Sequence, residues 1–211
     1  MNTAQSQVSV ETLFATPVAT ARHPRADTIN PAIAEIVLVR EAAVPSTQHS
    51  NLLGWQSAWD FPEWGGPAGE DLLNFARAVA TRLIVDRQGQ PVEVDWRMNA
   101  WANINRRGHG NEFHTHPGCV WSDAYYVDDG GTAADPALGG EFEIADPRGA
   151  MPAMYRPDLV PAIPGGASAG ASTLLGPQAG MMILFPAWLS HAVRPYLGDG
   201  QRISIAFNLS T

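Results

Sequence analysis

The chain has 211 residues, of which 45% are hydrophobic and 16% charged, and its formal net charge is −8. This length suits one domain with a sizeable core, and the composition excludes a largely disordered chain. All 13 basic residues are arginines, which excludes lysine Schiff-base and general-base chemistry. An acidic chain also lacks the spare cations that bind nucleic-acid phosphates.

The sequence contains no signal for a membrane or for export. No stretch reaches the roughly 18–20 apolar residues of a membrane span, and the first ten residues lack a basic segment followed by an apolar core. A single cysteine, Cys119, excludes an intrachain disulfide and a thiolate zinc site. We therefore expect a cytoplasmic protein that binds neither nucleic acid nor a membrane.

The first 91 residues predict a helical and aromatic support. Weak alternation over Val8–Phe14 predicts a strand. The Asn30-Pro31 pair resembles an N-cap followed by proline at the first helical position, so we predict a short helix over residues 30–40. Residues 54–67 are rich in aromatic and turn residues, and apolar residues recur every three or four positions over 71–83, which predicts a second helix.

From residue 92 onward the segments are short, alternate with period two, and are separated by Gly, Pro and Asp. This pattern predicts an antiparallel sandwich or barrel. Residues 147–180 are too long for a turn and predict a functional loop or lid. The predicted strands are Val94–Asn105, Trp121–Val127, Gly140–Ala145, Met181–Phe185, Ser190–Pro195 and Arg202–Leu209. We expect a single domain over 1–211, with 1–91 as the support and 92–211 as the β core.

Three histidines in this β-rich half predict a metal site. His114 and His116 are two residues apart and share one face of an extended chain. His191 follows an apolar run that predicts a different strand. Two ligands close in sequence and one distant, on neighbouring strands, can hold a transition metal with open positions for catalysis. The alternative is a chance surface pair and a lone core histidine.

The last predicted strand has one apolar and one polar face. Its apolar face is expected to pack under the helices, while Arg202 and Ser204 line the barrel interior. A buried guanidinium requires an anionic partner. A dicarboxylate or phosphate ligand would satisfy Arg202, with Ser204 alongside. The alternative is an ion pair with Asp123 or Asp146.

Together these features resemble the Fe(II)/2-oxoglutarate-dependent dioxygenases, and more narrowly a bacterial and phage branch of that superfamily. The resemblance spans about Trp96–Leu209. The segments that carry it are AWANINRRG, HTHPG, WSDAYYV, GGEF, DPR, LFPAWLSHAVRP and RISIAFN. It implies a mostly β, double-stranded β-helix core (a jelly-roll, cupin-like) with flanking helices. It also implies Fe(II), 2-oxoglutarate as cosubstrate, and hydroxylation of a substrate with decarboxylation of 2-oxoglutarate to succinate.

The resemblance also implies roles for individual residues. His114 and His191 take the positions of metal ligands, and His116 takes the position where the superfamily usually has Asp or Glu. We expect three histidine ligands; the alternative is that His116 turns away and leaves water or Asp123 nearby. Arg202 is expected to pair with the distal carboxylate of 2-oxoglutarate, and Ser204 to hydrogen-bond it.

Two further residues are candidates for binding the cosubstrate. Asn103 shares a strand face with Trp101 and Asn105, and it either binds the cosubstrate or satisfies loop backbone. Tyr125 and Tyr126 point to opposite faces of one strand, and we expect Tyr125 to line the cavity.

Other functions stay open at this point. One is a three-histidine, cupin-like metalloenzyme without 2-oxoglutarate, although Val120 and Trp121 occupy the spacing of its usual later carboxylate. Another is a non-enzymatic, metal-containing jelly-roll that binds a small acid. The substrate, a small molecule or a peptide, is not identified by the sequence. An uncovered sheet edge favours a homodimer.

Overall fold

The computed structural model describes residues 9–150, 156, 158–162, 166 and 169–211, which form two antiparallel sheets and flanking helices. A short 3-10 helix (Pro136–Leu138) lies between β6 and β7. In chain order the other elements are β1 (Ala19–Arg22), α1 (Ala26–Ala43), β2 (Asn51–Leu52), β3 (Trp55–Gln56), α2 (Phe61–Trp64), α3 (Gly66–Arg82), β4 (Arg97–Asn105), β5 (Gly110–His114), β6 (Trp121–Asp128), β7 (Phe142–Ala145), β8 (Ser172–Leu175), β9 (Met181–Pro186), β10 (His191–Val193) and β11 (Arg202–Ser210).

The larger sheet has six strands in the order β1-β9-β6-β11-β4-β3, and the smaller has five in the order β2-β5-β10-β7-β8. From β8 onward consecutive strands alternate between the two sheets, with β9 and β11 in the larger sheet and β8 and β10 in the smaller one. The first 91 residues contribute β1, β2 and β3 to these sheets as well as the helices. No helix in the described part of the chain is long and apolar enough to span a membrane.

The main core lies between the larger sheet and helices α1 and α3. The apolar face of β11 belongs to this core, as its alternation predicts: Ile205 and Phe207 are completely buried there. From the helices, Ile33 and Leu72 are equally buried in the same core. Each such side chain stabilises the fold by about 1.5–3 kcal/mol relative to an exposed one. The helices thus fix the sheet whose other face lines the site.

The two predicted helices exist, but both begin earlier than predicted, the second at Gly66. Helix α1 begins at Ala26, so Asn30 is not its N-cap and Pro31 lies inside it. The Asn30 side chain instead accepts from the Tyr125 hydroxyl (2.6 Å) and donates to the Val127 carbonyl (2.9 Å). This tertiary contact between α1 and β6 explains why a cap-type residue occurs within a helix.

Several strand predictions need correction. Residues 9–14 form no strand, and Val8 lies outside the described residues. The strand near this end is β1, which gains its stability by pairing with β9 rather than from its own alternation. Part of the predicted 147–180 loop is β8, which pairs with β7, while several residues of that loop lie outside the described part. Strand β5, which carries His114, has no counterpart among the predicted strands.

A buried histidine connects the start of α1 to α3. His23 is only 3% exposed, its Nδ1 accepts from the Arg25 amide (3.1 Å), and its Nε2 lies 3.5 Å from Asp71. Its ring packs edge-on against Phe75 at 4.7 Å. Burial lowers the pKa of His23 below its ordinary value, although Asp71 acts in the opposite direction.

We expect His23 to make the protein less stable as the pH falls. Because its folded pKa is the lower one, the unfolded chain takes up the proton first, and the contribution of His23 is lost progressively below about pH 6.5. Urea unfolding of metal-free protein at about pH 7 and about pH 5 measures this effect. The stability advantage of the wild type over His23→Gln should shrink at the lower pH. An advantage that is unchanged or larger there would contradict the prediction.

Candidate metal and cosubstrate site

The three predicted histidines come together where β5 and β10 pair. His114 ends β5 and lies directly opposite His191, the first residue of β10. His116 follows two residues later, and its backbone amide donates to the Ala187 carbonyl in the β9–β10 connection (2.8 Å). Backbone pairing of distant segments therefore determines where all three rings lie.

The potential ligand atoms of the three side chains all lie within 4.8 Å of one another. The ring centroids are 4.3 Å apart for His114 and His191, 4.9 Å for His114 and His116, and 5.1 Å for His116 and His191. In the described residues no carboxylate joins this cluster. Three imidazoles at this spacing can bind one metal ion and leave other coordination positions open.

Backbone carbonyls fix the orientation of two of these rings. His114 Nδ1 lies 2.8 Å from the Glu112 carbonyl, and His191 Nδ1 lies 2.9 Å from the Leu189 carbonyl. Because a carbonyl can only accept, Nδ1 carries the proton in both rings, and Nε2 keeps the lone pair that can bind a metal. His116 Nδ1 lies 3.4 Å from Asn208 Nδ2, and Asn208 Oδ1 accepts from Ser122 at 2.7 Å.

Burial keeps the three rings in the neutral, metal-binding form. Desolvation lowers the pKa of His191 to about 3 and the pKa of His116 to about 4. It also lowers the pKa of His114. A neutral imidazole is the form that binds a transition metal.

An inner cavity of about 50 Å³ adjoins the histidines and contains Arg202. Arg202 is 4% exposed, and in the described residues no carboxylate lies within 4.0 Å of its guanidinium. The alternative partner Asp146 instead pairs with Arg148 at 2.7 Å. Arg202 Nε and the Tyr126 hydroxyl are both buried without a hydrogen-bond partner among the described residues. The cavity therefore contains a buried cation and a hydroxyl that an anion could satisfy.

The polar face of β11 lines this cavity together with β4. Ser204 pairs in register with Asn103, and both side chains face the cavity that holds Arg202. Trp101 and Asn105, which share the strand face of Asn103, also line it. The polar face of β11 thus points inward, as its alternation predicts.

The expectation that Tyr125 lines the cavity is wrong. Tyr125 points to the helices, where its hydroxyl donates to Asn30, and it belongs to the main core. Tyr126 lines the cavity instead, with its ring 5.5 Å from the Arg202 guanidinium carbon. The register explains the choice: Tyr125 lies opposite Ile205 and Tyr126 opposite Ser204, so each tyrosine takes the face of its partner.

Asp123, the alternative to His116, does not join the metal-ligand cluster, although it is among the residues that line the inner cavity. It pairs in register with Phe207 and Leu184, both of which belong to the main core. Both carboxylate oxygens are buried without a partner among the described residues, and burial raises the pKa of Asp123 well above its ordinary value. Burial therefore favours the neutral form of this carboxyl.

One residue near the metal cluster has no signal in the sequence. Ser50 precedes β2, and its hydroxyl lies 3.4 Å from His114 Nε2 and accepts from Asn111 at 3.2 Å. It reaches the cluster only because β2 pairs with β5. A serine in a polar loop gives no pattern from which this position could be predicted.

Residues 99–208 match the model of a protein family described as "Putative 2OG-Fe(II) oxygenase". The chain belongs to this family. Its enzymes use Fe(II) and 2-oxoglutarate, so the predicted cofactor, cosubstrate and reaction class are confirmed. The match favours the oxygenase over the two alternatives, and no curated protein is similar enough in sequence to match.

Solved structures of the same kind confirm the double-stranded β-helix fold. A prolyl-4-hydroxylase from Pseudomonas putida is 17% identical over 92% of each chain, with a TM-score of 0.59. A prolyl hydroxylase from Trichoplax adhaerens, in complex with a peptide fragment of the hypoxia inducible factor oxygen degradation domain, is 13% identical over 92% of this chain and 83% of that one, with a TM-score of 0.63. HygX from Streptomyces hygroscopicus, with nickel, 2-oxoglutarate and hygromycin B bound, is 11% identical over 92% and 83%, with a TM-score of 0.59.

A glycine beside Arg202 provides a test of this cavity. Gly140 has a φ of +77°, and a Cβ added there would lie 3.0 Å from Arg202 Nη1. We expect Gly140→Ala to displace the guanidinium and to weaken 2-oxoglutarate binding about 10-fold. This loss is smaller than the full contribution of the charge-assisted hydrogen bonds, because the displaced guanidinium stays in the cavity. Calorimetric titration of nickel-loaded protein measures this binding without turnover.

Gly89→Ala is the matched control. Gly89 has nearly the same φ, +76°, but an added Cβ there meets nothing within 4 Å. Both variants carry a similar backbone strain of about 1–2 kcal/mol, so only Gly140→Ala should change the affinity for 2-oxoglutarate. Equal affinities in the two variants would contradict the role of this contact.

Proposed function

We propose that His114, His116 and His191 bind the Fe(II) of this oxygenase, His114 and His191 through their Nε2 atoms. The proposal is supported by the spacing of the three rings and by the two Nδ1 hydrogen bonds that leave Nε2 available. Their lowered pKa values support it as well, because a metal competes poorly with a proton for a basic imidazole.

A set of three neutral ligands has an electrostatic consequence. Without a carboxylate ligand, the full +2 charge of the ion stays at the site, because none of the three side chains neutralises it. Dianionic 2-oxoglutarate then balances this charge inside a cavity where interactions between charges are stronger than in water. His116 in place of the usual carboxylate thus favours a cosubstrate with two negative charges.

We propose that 2-oxoglutarate occupies the inner cavity, with its distal carboxylate on Arg202. Ser204 and the Tyr126 hydroxyl hydrogen-bond that carboxylate, and Asn103 contacts the cosubstrate from β4. A carboxylate there would satisfy Arg202 Nε and the Tyr126 hydroxyl, which have no partner among the described residues. The buried apolar neighbours Phe142 and Phe185 exclude water from the same cavity.

When bound, Fe(II) with 2-oxoglutarate and O₂ supplies the oxidising power that converts a substrate C–H to C–OH and 2-oxoglutarate to succinate and CO₂. The protein contributes orientation: Arg202 fixes one end of the cosubstrate, and the histidines fix the ion at the other. We propose that the substrate is a small molecule or a peptide. The structures of relatives hold a peptide fragment in one case and hygromycin B in the other. A cytoplasmic location and a homodimer stay predictions.

The observation that carries this proposal is the convergence of the three histidines beside a cavity that contains an unpaired, buried arginine. Two variants test its two halves separately. We expect His191→Ala to weaken metal binding by more than about 100-fold. Loss of a residue that only hydrogen-bonds a ligand typically costs roughly 10–100-fold, and His191 is proposed to be a ligand itself. We expect Arg202→Ala to keep the metal but to weaken 2-oxoglutarate binding by about 10–100-fold, because a charge-assisted hydrogen-bonding partner is lost.

His109→Ala and Arg194→Ala are the controls. His109 lies outside the cluster, and Arg194 is exposed and pairs with Glu143. Metal content of the purified proteins and calorimetric titration with 2-oxoglutarate give the two readouts. Normal metal content in His191→Ala would contradict the metal assignment, and normal cosubstrate affinity in Arg202→Ala would contradict the assignment of Arg202.

A further inference from the structure

A second, larger cleft borders His114 and His116. It has a volume of about 530 Å³, which is enough for a small organic molecule or a peptide side chain. His114, His116, Ser50 and Trp101 line both this outer cleft and the inner cavity. A molecule in the outer cleft would therefore lie against the same histidines that border the inner cavity.

The outer cleft contains an acid and no arginine. Among its described lining residues, Glu112 is the one carboxylate, and histidines are the only groups that could carry a positive charge. The chain has no lysine, and none of the residues outside the described part has a charged side chain. Unlike the inner cavity with Arg202, this cleft disfavours an anion.

An aromatic wall forms one side of the outer cleft. The Trp59 side chain is 52% exposed, and its ring stacks on His49 at 5.0 Å with an interplanar angle of 23°. Trp101 lies 6.3 Å from Trp59, and His116 lies 5.8 Å from Trp101. The row of rings reaches from the surface to the metal cluster. Neighbouring rings hold Trp59 in place, so it can offer a preformed aromatic surface to a cation.

The polar atoms of the outer cleft include acceptors that lack donors. Asn99 Oδ1 is buried and has no hydrogen-bond partner in the described part of the chain. The Glu112 carboxylate can only accept when it is ionised. Of these two acceptors the exposed Glu112 carboxylate is the one that an occupant of the cleft can reach, and a positively charged donor would interact both with it and with the indole face of Trp59.

We propose that the outer cleft binds a substrate through a cationic amine held between Trp59 and Glu112. This proposal rests on the proposed function, since it names the substrate class of the same site. The two cavities then select by charge: the dianionic cosubstrate binds at Arg202, and an ammonium-bearing substrate binds on the aromatic side. The amine belongs either to a small molecule or to a peptide side chain, because the chemistry is the same.

Three probes of similar size separate the effect of charge from the effect of the ring: benzylammonium, benzyl alcohol and benzoate. Each is titrated by ligand-observed NMR into protein loaded with nickel and 2-oxoglutarate. We expect benzylammonium to bind tightest and benzoate weakest. Trp59→Ala and Glu112→Gln should each weaken benzylammonium binding about 3–5-fold, which is typical of a partly exposed cation–π or ionic contact.

Matched variants control for nonspecific effects. Trp188→Ala removes another exposed tryptophan that does not line the cleft, and Glu70→Gln removes an exposed carboxylate on α3. Neither should change benzylammonium binding. Competition with benzylammonium then separates the two sources of the amine. Stronger competition by a lysine-containing peptide indicates a peptide side chain, and stronger competition by a free polyamine indicates a small molecule.

Three results would overturn the proposal: benzoate binding as tightly as benzylammonium, no detectable binding of benzylammonium, or unchanged binding in Trp59→Ala. Nickel and 2-oxoglutarate binding are measured on the same samples. If these two are normal while the probe results fail, the substrate class is wrong and the oxygenase site stands. If nickel or 2-oxoglutarate does not bind to the wild type, the proposed function itself fails.

Discussion

The antiparallel pairing of β5 with β10 is the constraint on which the site depends. It sets His191 opposite His114, and the two imidazoles share one face only because the register is fixed. A slip of one residue would turn the side chains of one strand to the other face. β10 is held on both sides, by β5 and by β7, so the register has support beyond its own three residues.

The second constraint is the separation of charge across the metal cluster. A buried guanidinium without a carboxylate partner is costly for the folded protein. The fold accommodates Arg202 between Gly130 and Gly140, where any side chain would press against it. An anionic ligand that pairs with Arg202 would remove this free-energy cost, which best explains why a buried arginine is kept at this position. The outer cleft, which shares His114 and His116 with this cavity, is lined instead by Glu112 and aromatic rings.

Much of the site follows from alternation in the sequence. In the last strand, apolar and polar residues alternate. Because every second residue of a strand lies on the same face, this pattern predicts which residues face the core and which face the cavity. Alternation cannot tell which of two adjacent residues points inward. The register with β11 decides it, and it places Tyr126 rather than Tyr125 at the cavity. The local sequence predicts Asn30 as a helix cap because its hydrogen bonds to β6 have no signal in that sequence. β1, β8 and Ser50 owe their places to pairing with distant segments, which no local pattern encodes.

The central claim is that three neutral histidines and Arg202 together hold Fe(II) and 2-oxoglutarate in adjacent positions. Anaerobic titration of the iron-loaded protein with 2-oxoglutarate, followed by visible absorption, tests it most directly. The account predicts a weak band that grows and saturates at about one 2-oxoglutarate per iron, as chelation of a bound ion requires. Iron that stays bound while no band develops would contradict it.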